Sequence, residues 1–137
     1  MADEDLISIV SDSDLVAARQ LGRQRAGKLG FSTTDATLIA TAISELARNI
    51  LDYAGNGEIA IGQIFENGRT GVVVVALDSG PGIVDLEAAL QEGYTTAQGL
   101  GMGLPGARRL MDEFEIESEV GQGTRIVMKK WKYHAGR

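Results

Sequence analysis

Apolar residues Ala36, Ile39, Ala40, Ile43, Ala47 and Ile50 recur at steps of three and four. That is the period of one buried helix face, and it predicts a helix from Thr33 to about Tyr53. Ser32, with Asp35 three residues on, resembles a capping box at its start, with Asp in place of the usual Glu or Gln. On the other side lie Thr37, Thr41, Glu45 and Asn49, each four residues from the next. Such residues stack in one stripe, so the Glu45 carboxylate and the Asn49 amide project side by side. A solvated face would mix Lys, Arg, Glu and Asp freely. This stripe is mostly small and neutral, which leaves two readings: an exposed polar face, or the lining of a site.

The same patterning places the remaining elements. Leu6 to Val10 alternates and reads as a short strand. Asp12 or Ser13 then caps a helix running to about Leu29, with Leu15, Val16, Ala18, Leu21 and Ala26 available for a core face, and Gly30 stops it. Gly55-Asn56-Gly57 is turn chemistry. Glu58 to Phe65 and Val72 to Leu77 read as two strands joined by the hairpin Glu66-Asn67-Gly68-Arg69. The second is apolar throughout, as expected inside a sheet covered on both faces or deeply buried on one. Ile83 to Glu92 fits a short helix, and Gly93 to Gln98 a polar loop. From Leu104 onward, Ala107, Leu110, Met111 and Phe114 mark a further helix, with Pro105 suited to its first turn. Phe114 to Glu119 alternates, Val120-Gly121-Gln122-Gly123 turns, and Thr124 to Trp131 makes a final strand before a frayed tail, Lys132 to Arg137.

Composition narrows the classes. A chain of 137 residues suits one domain with a real core, spanning residues 1–137. No stretch approaches the ~18 to 20 apolar residues of a membrane span, and the acidic start, Asp3-Glu4-Asp5, is unlike a secretory signal. The expected location is therefore cytoplasmic, with no membrane partner. The absence of Cys removes disulfides, thiolate metal sites and cysteine nucleophiles together. A net charge of −6 argues against nucleic acid, whose phosphates demand clustered Lys and Arg. Half of the 18 glycines are concentrated between Gly80 and Gly123, too clustered for a linker and too irregular for a repeat.

Those glycines carry the candidate chemistry. Asp78-Ser79-Gly80-Pro81-Gly82 follows the apolar strand directly, and the carboxyl end of a buried strand is where open α/β folds place ligands. The same pattern also fits a plain tight turn. Gly99-Leu100-Gly101-Met102-Gly103 runs into a helix start, where bare N–H groups and the positive end of the dipole form a phosphate cradle. Arg108 and Arg109 sit one turn further on, placed for an anion or for solvent. Gly101 to Gly106 matches the dinucleotide-binding fingerprint letter for letter, yet no strand precedes it and only about thirty residues follow, so that reading fails on context. A Walker loop fails for want of Gly-Lys-Ser/Thr. His134, the single histidine, builds neither a zinc site nor a Ser-His-Asp triad.

Four motifs now stand in order: Glu45-x-x-x-Asn49, Asp78-x-Gly80-x-Gly82, Gly99-x-Gly101-x-Gly103 and Gly123-Thr124. Together they resemble the ATP-binding domain shared by gyrase, the Hsp90 chaperones, histidine kinases and MutL. Within that superfamily, Ala17 to Arg23, Thr41 to Asn49 and Gly99 to Phe114 look like the bacterial anti-sigma-factor serine/threonine kinases, above all the stressosome switch kinases. The resemblance implies an α+β, two-layer α/β sandwich (the Bergerat ATP-binding fold). Its sheet would be mixed, mostly antiparallel, of about five strands, with helices on one face. It implies ATP and Mg²⁺ as cofactors. Asn49 would ligate a Mg²⁺ bridging the phosphates, as an oxygen ligand on a hard cation. Asp78 would accept a hydrogen bond from the adenine amino group, with Thr124 helping through a water. Gly80, Gly82, Gly99, Gly101 and Gly103 would bring backbone close to the nucleotide. Glu45 would be the general base toward a Ser or Thr hydroxyl. Residues 83–98 would form a short ATP lid, consistent with admitting a protein substrate.

Departures from the superfamily sharpen the expectation. Many histidine kinases carry Lys three residues after the metal-binding Asn; here that position is Asp52. No helical hairpin with a phospho-acceptor His fits in the 35 or so residues ahead of the domain, and the further domains of gyrase-type and chaperone-type ATPases are not expected. The expectation is a protein kinase acting on Ser or Thr of a STAS-domain antagonist or stressosome protein, with a PP2C-type phosphatase as downstream partner. The alternatives are an anti-sigma-type binding module in which ATP is structural, and a stand-alone ATPase.

Overall fold

The computed structural model describes residues 4–83 and 103–132. In chain order these form β1 (Asp5–Ile9), α1 (Asp12–Lys28), α2 (Thr33–Tyr53), β2 (Gly57–Glu66), β3 (Arg69–Asp78), α3 (Gly103–Leu110), β4 (Glu113–Glu119) and β5 (Gly123–Trp131). The strands form one five-stranded sheet in the order β1-β2-β3-β5-β4. This is the α+β architecture of about five strands that the resemblance implied, and every pairing among the described residues is antiparallel.

Alternation along the strands decides which face the helices cover. Ile59 and Ile61 of β2, Val72, Val74 and Ala76 of β3, and Ile126 and Met128 of β5 are buried and point to one side. Val73 and Val75 on the opposite side of β3 are only half-buried and Leu77 is exposed, so this apolar strand is deeply covered on one face alone. Helix α2 supplies the facing layer through Ile39, Ile43, Leu46 and Ile50, all essentially without solvent contact. Every member of the apolar face read from the sequence is buried. Ser32 caps the helix by accepting from the Asp35 N–H at 3.0 Å.

Three details differ from expectation. The N-cap of α1 is Ser11, not Asp12 or Ser13, because Asp14 three residues on accepts from the N–H groups of both Ser11 and Val10. Val16 is exposed while Gly22 is buried, so α1 approaches α2 over a glycine: a Cβ there would stand 2.3 Å from Ile43 Cδ1. Helix α3 ends at Leu110, and Phe114 belongs to β4, where it packs on the core from a strand. The hairpin forms as read, with Asn67 and Gly68 both at positive φ between the paired residues Glu66 and Arg69. No described helix is long and apolar enough to cross a membrane. Most of the 83–98 segment and most of the 132–137 tail lie outside the described residues.

Candidate functional site

The antiparallel register puts three polar residues in one row at the end of the sheet. Asp78, the last residue of β3, is paired with Thr124 of β5, and Thr124 is paired with Ser118 of β4. Each continues the core-facing set of its strand, after Val74 and Ala76, after Met128 and Ile126, and after Phe114 and Ile116. Directly opposed residues on one face lie about 4.5–5.5 Å apart at Cβ, close enough to hold one ligand group between them. Thr124 is buried. Its Oγ1 lies 2.8 Å from Ser118 Oγ. Asp78 Oδ1 accepts from the Gly80 N–H at 2.9 Å, which fixes the turn after the strand. Asp78, Ser118 and Thr124 line one depression.

Glycine is required around this row by close approach. A Cβ on Gly123, whose φ is +120°, would fall 2.1 Å from the Asp78 carbonyl oxygen. One on Gly82 would meet the Glu119 carbonyl oxygen at 2.4 Å, and one on Gly80 would meet Ala54 Cβ, just past α2, at 2.6 Å. Gly57 fits between Ile50 of α2 and Asp78 in the same way. The carboxylate is thereby seated beside the last turns of α2. Gly80 and Gly82 serve backbone packing here.

The stripe on α2 divides. Thr37 and Thr41 turn their hydroxyls back onto the carbonyls four residues earlier, at 2.9 Å each, and Thr37 is exposed. Glu45 is half-buried and Asn49 buried, so only this half of the stripe faces inward. Glu45 Oε1 accepts from the Gly103 N–H at 3.0 Å, at the first residue of α3. A carboxylate there is favourable, since the helix leaves its first N–H groups unpaired and carries partial positive charge at that end. It also holds the general-base candidate at the spot an anion would seek. Gly103 is thus placed against Glu45, while Gly99 and Gly101 lie outside the described residues.

Beside the stripe stands Asp52, whose Oδ2 is buried without a hydrogen-bond partner among the described residues. Arg48 lies 3.9 Å from its other oxygen and 3.1 Å from Asp12 of α1. Asp52 is thus an acid tied loosely, through Arg48, into the α1–α2 packing.

Sequence reasoning missed Ser118. It accepts from the Ile83 N–H at 2.7 Å and donates to the Gly123 carbonyl at 3.1 Å, besides meeting Thr124. The signal was available in the alternation: Phe114, Ile116 and Ser118 share one face, so the serine had to follow two core residues inward.

The donor set fits a nucleotide with its cation. Asp78 and Thr124 suit a base edge, and the Asn49 amide oxygen suits a hard cation that takes its remaining ligands from phosphate and water. No group of three or more acids or histidines placed to hold a metal occurs among the described residues.

Comparisons with known proteins identify the family and the fold. Residues 11–130 match the model of the histidine kinase-like ATPase domain. The chain is 51% identical to the serine/threonine-protein kinase RsbT of Bacillus subtilis, over 96% of this chain and 98% of that one. It is 37% identical to the anti-sigma F factor of Geobacillus stearothermophilus, over 75% and 74% of the two chains. Among solved structures, the catalytic domain of histidine kinase ThkA superposes with a TM-score of 0.54 at 19% identity, over 93% of this chain and 96% of that one, a likeness of fold. With the family model spanning most of its length and a five-stranded antiparallel sheet packed under helices, the chain is a member of the histidine kinase-like ATPase domain family.

Proposed function

We propose that this single domain is an ATP-dependent serine/threonine protein kinase that modifies a small protein partner in a partner-switching pathway. One observation carries the reading. Glu45 is held by a helix N-terminus one turn before Asn49, in a chain that shares half its residues with a serine/threonine kinase along nearly its whole length.

Asp78 accepts from the adenine amino group, and Thr124 beside it completes that edge. Gly80, Gly82, Gly99, Gly101 and Gly103 let backbone approach the nucleotide. Asn49 offers its amide oxygen to Mg²⁺. The cation, when bound, offsets phosphate charge as it develops. Glu45 takes the proton from the incoming Ser or Thr hydroxyl as its oxygen bonds to the γ-phosphorus and the bond to the β-phosphate oxygen breaks, releasing ADP. The expected lid, residues 83–98, lies almost wholly outside the described residues. Partners of the STAS-domain type as acceptor and of the PP2C type as downstream effector fit the similarity to RsbT, and a cytoplasmic site of action follows from them.

Similarity to an anti-sigma F factor supports a second reading, a module that holds its protein partner with ATP in a structural role. One assay separates the two. Purified protein is incubated with γ-labelled ATP, Mg²⁺ and a purified STAS-domain antagonist, with Asn49→Ala alongside. Label on Ser or Thr of the acceptor with wild type only is the expected result. A stable complex without label refutes the kinase and leaves the binding module.

A further inference from the structure

Ser118 makes three contacts through one oxygen, and counting protons among them determines what Thr124 can do. A serine hydroxyl has one hydrogen to give and two lone pairs to receive. The Ile83 N–H occupies one lone pair, at 2.7 Å. The Gly123 carbonyl has no hydrogen, so at 3.1 Å it must receive the one that Ser118 owns. The contact with Thr124 Oγ1 at 2.8 Å then forms in one sense: Thr124 donates and Ser118 accepts. All three bonds coexist under that assignment.

The consequence lies on the other side of Thr124. Its hydrogen is committed to Ser118, so it faces the depression with lone pairs only. Its neighbour across the β3–β5 ladder, Asp78, is a carboxylate with Oδ1 already engaged by the Gly80 N–H. Two acceptors therefore stand side by side, and neither offers a donor. We propose that Ser118 is a positioning residue that fixes the polarity of the Thr124 hydroxyl, making the pocket select a 6-amino purine over a 6-keto purine. An exocyclic amino group, directly or through one water, satisfies both oxygens. A keto oxygen at that position faces only lone pairs. The inference rests on the nucleotide reading of the site and adds to it the residue that sets base discrimination.

The test measures calorimetric affinities for ATP and ITP in wild type, Ser118→Ala, Thr124→Val and the double variant. Wild type is expected to prefer ATP. Ser118→Ala frees the Thr124 rotor to donate to the keto oxygen, so the ATP/ITP ratio should fall by about two- to tenfold, the worth of one hydrogen bond. Ser118→Ala should leave the ratio unchanged when Thr124 is already valine, because no hydroxyl remains to orient. A Ser118 that merely fastened Ile83 would weaken both nucleotides equally and equally in both backgrounds. That pattern overturns the proposal, as does an unchanged ratio in the single variant, while a wild type that binds neither nucleotide removes the nucleotide reading itself. Circular dichroism melts of each variant confirm that folded proteins are compared.

Discussion

Gly123→Ala probes the seam on which the site is built. The glycine begins β5 at φ +120°, and an added Cβ would stand 2.1 Å from the Asp78 carbonyl oxygen and 2.9 Å from Ser79 Cα. Both obstacles are backbone, so no side-chain rotation relieves them. A non-glycine residue in a sparsely populated backbone region costs about 1–3 kcal/mol. Forcing an extra carbon into a packed position adds about 1–3 kcal/mol more. The sum is about 2–6 kcal/mol, against a total stability of about 5–15 kcal/mol for a domain. Gly121 supplies the control. Its φ is +83°, and a Cβ would meet nothing within 4 Å, so Gly121→Ala bears the backbone cost without the collision. Thermal unfolding of the two variants should therefore separate them, with Gly121→Ala melting below wild type by the backbone cost alone and Gly123→Ala lower still. At about 3–5 °C per kcal/mol for a domain of this size, the extra collision should appear as a further drop of about 3–15 °C. Equal melting temperatures for the two variants would refute the reasoning, since the close approach of β5 to Asp78 would then cost nothing.

Two substitutions test roles within the pocket. Asp78→Asn should weaken ATP binding by about ten- to a hundredfold, because a hydrogen bond to a charged group is worth about 1.5–3 kcal/mol; unchanged affinity by calorimetry would remove Asp78 from the base site. Glu45→Gln keeps an oxygen for the Gly103 N–H, so ATP affinity should stay within a few-fold of wild type while phosphoryl transfer slows by about 10²–10⁴, and a transfer rate matching wild type in single-turnover kinetics would exclude Glu45 as the base.

What was legible in the sequence is what local periodicity encodes. Helix α2 announces itself from Ala36 to Ile50, and Asn67-Gly68 announces a hairpin whose turn needs positive φ at both residues. Asp78 could be placed at the end of an interior strand because five apolar residues and an alanine precede it. Relations between distant segments were not legible. That Thr124 opposes Asp78 depends on β5 inserting between β3 and β4, which no spacing specifies. The seat of Glu45 on Gly103 joins residues 58 apart, and Gly22 reads as a helix defect until Ile43 is seen packed against it. Ser118 sits between these cases: its face follows from alternation, but its partners do not.

The strand order has a consequence for how the domain comes into being. Strand β5 is the last described element in the chain, yet it lies inside the sheet, between β3 and β4. During synthesis the segments of β1, β2 and β3 are complete well before residues 123–131 leave the ribosome. Until then β3, with Val72-Val73-Val74-Val75, is an unpaired apolar edge. Such edges template pairing with other chains, and long-range closure is the slow step of folding. The strand that ends this exposure is the one that brings Thr124 opposite Asp78, so the interval of greatest aggregation risk closes as the proposed base site is assembled.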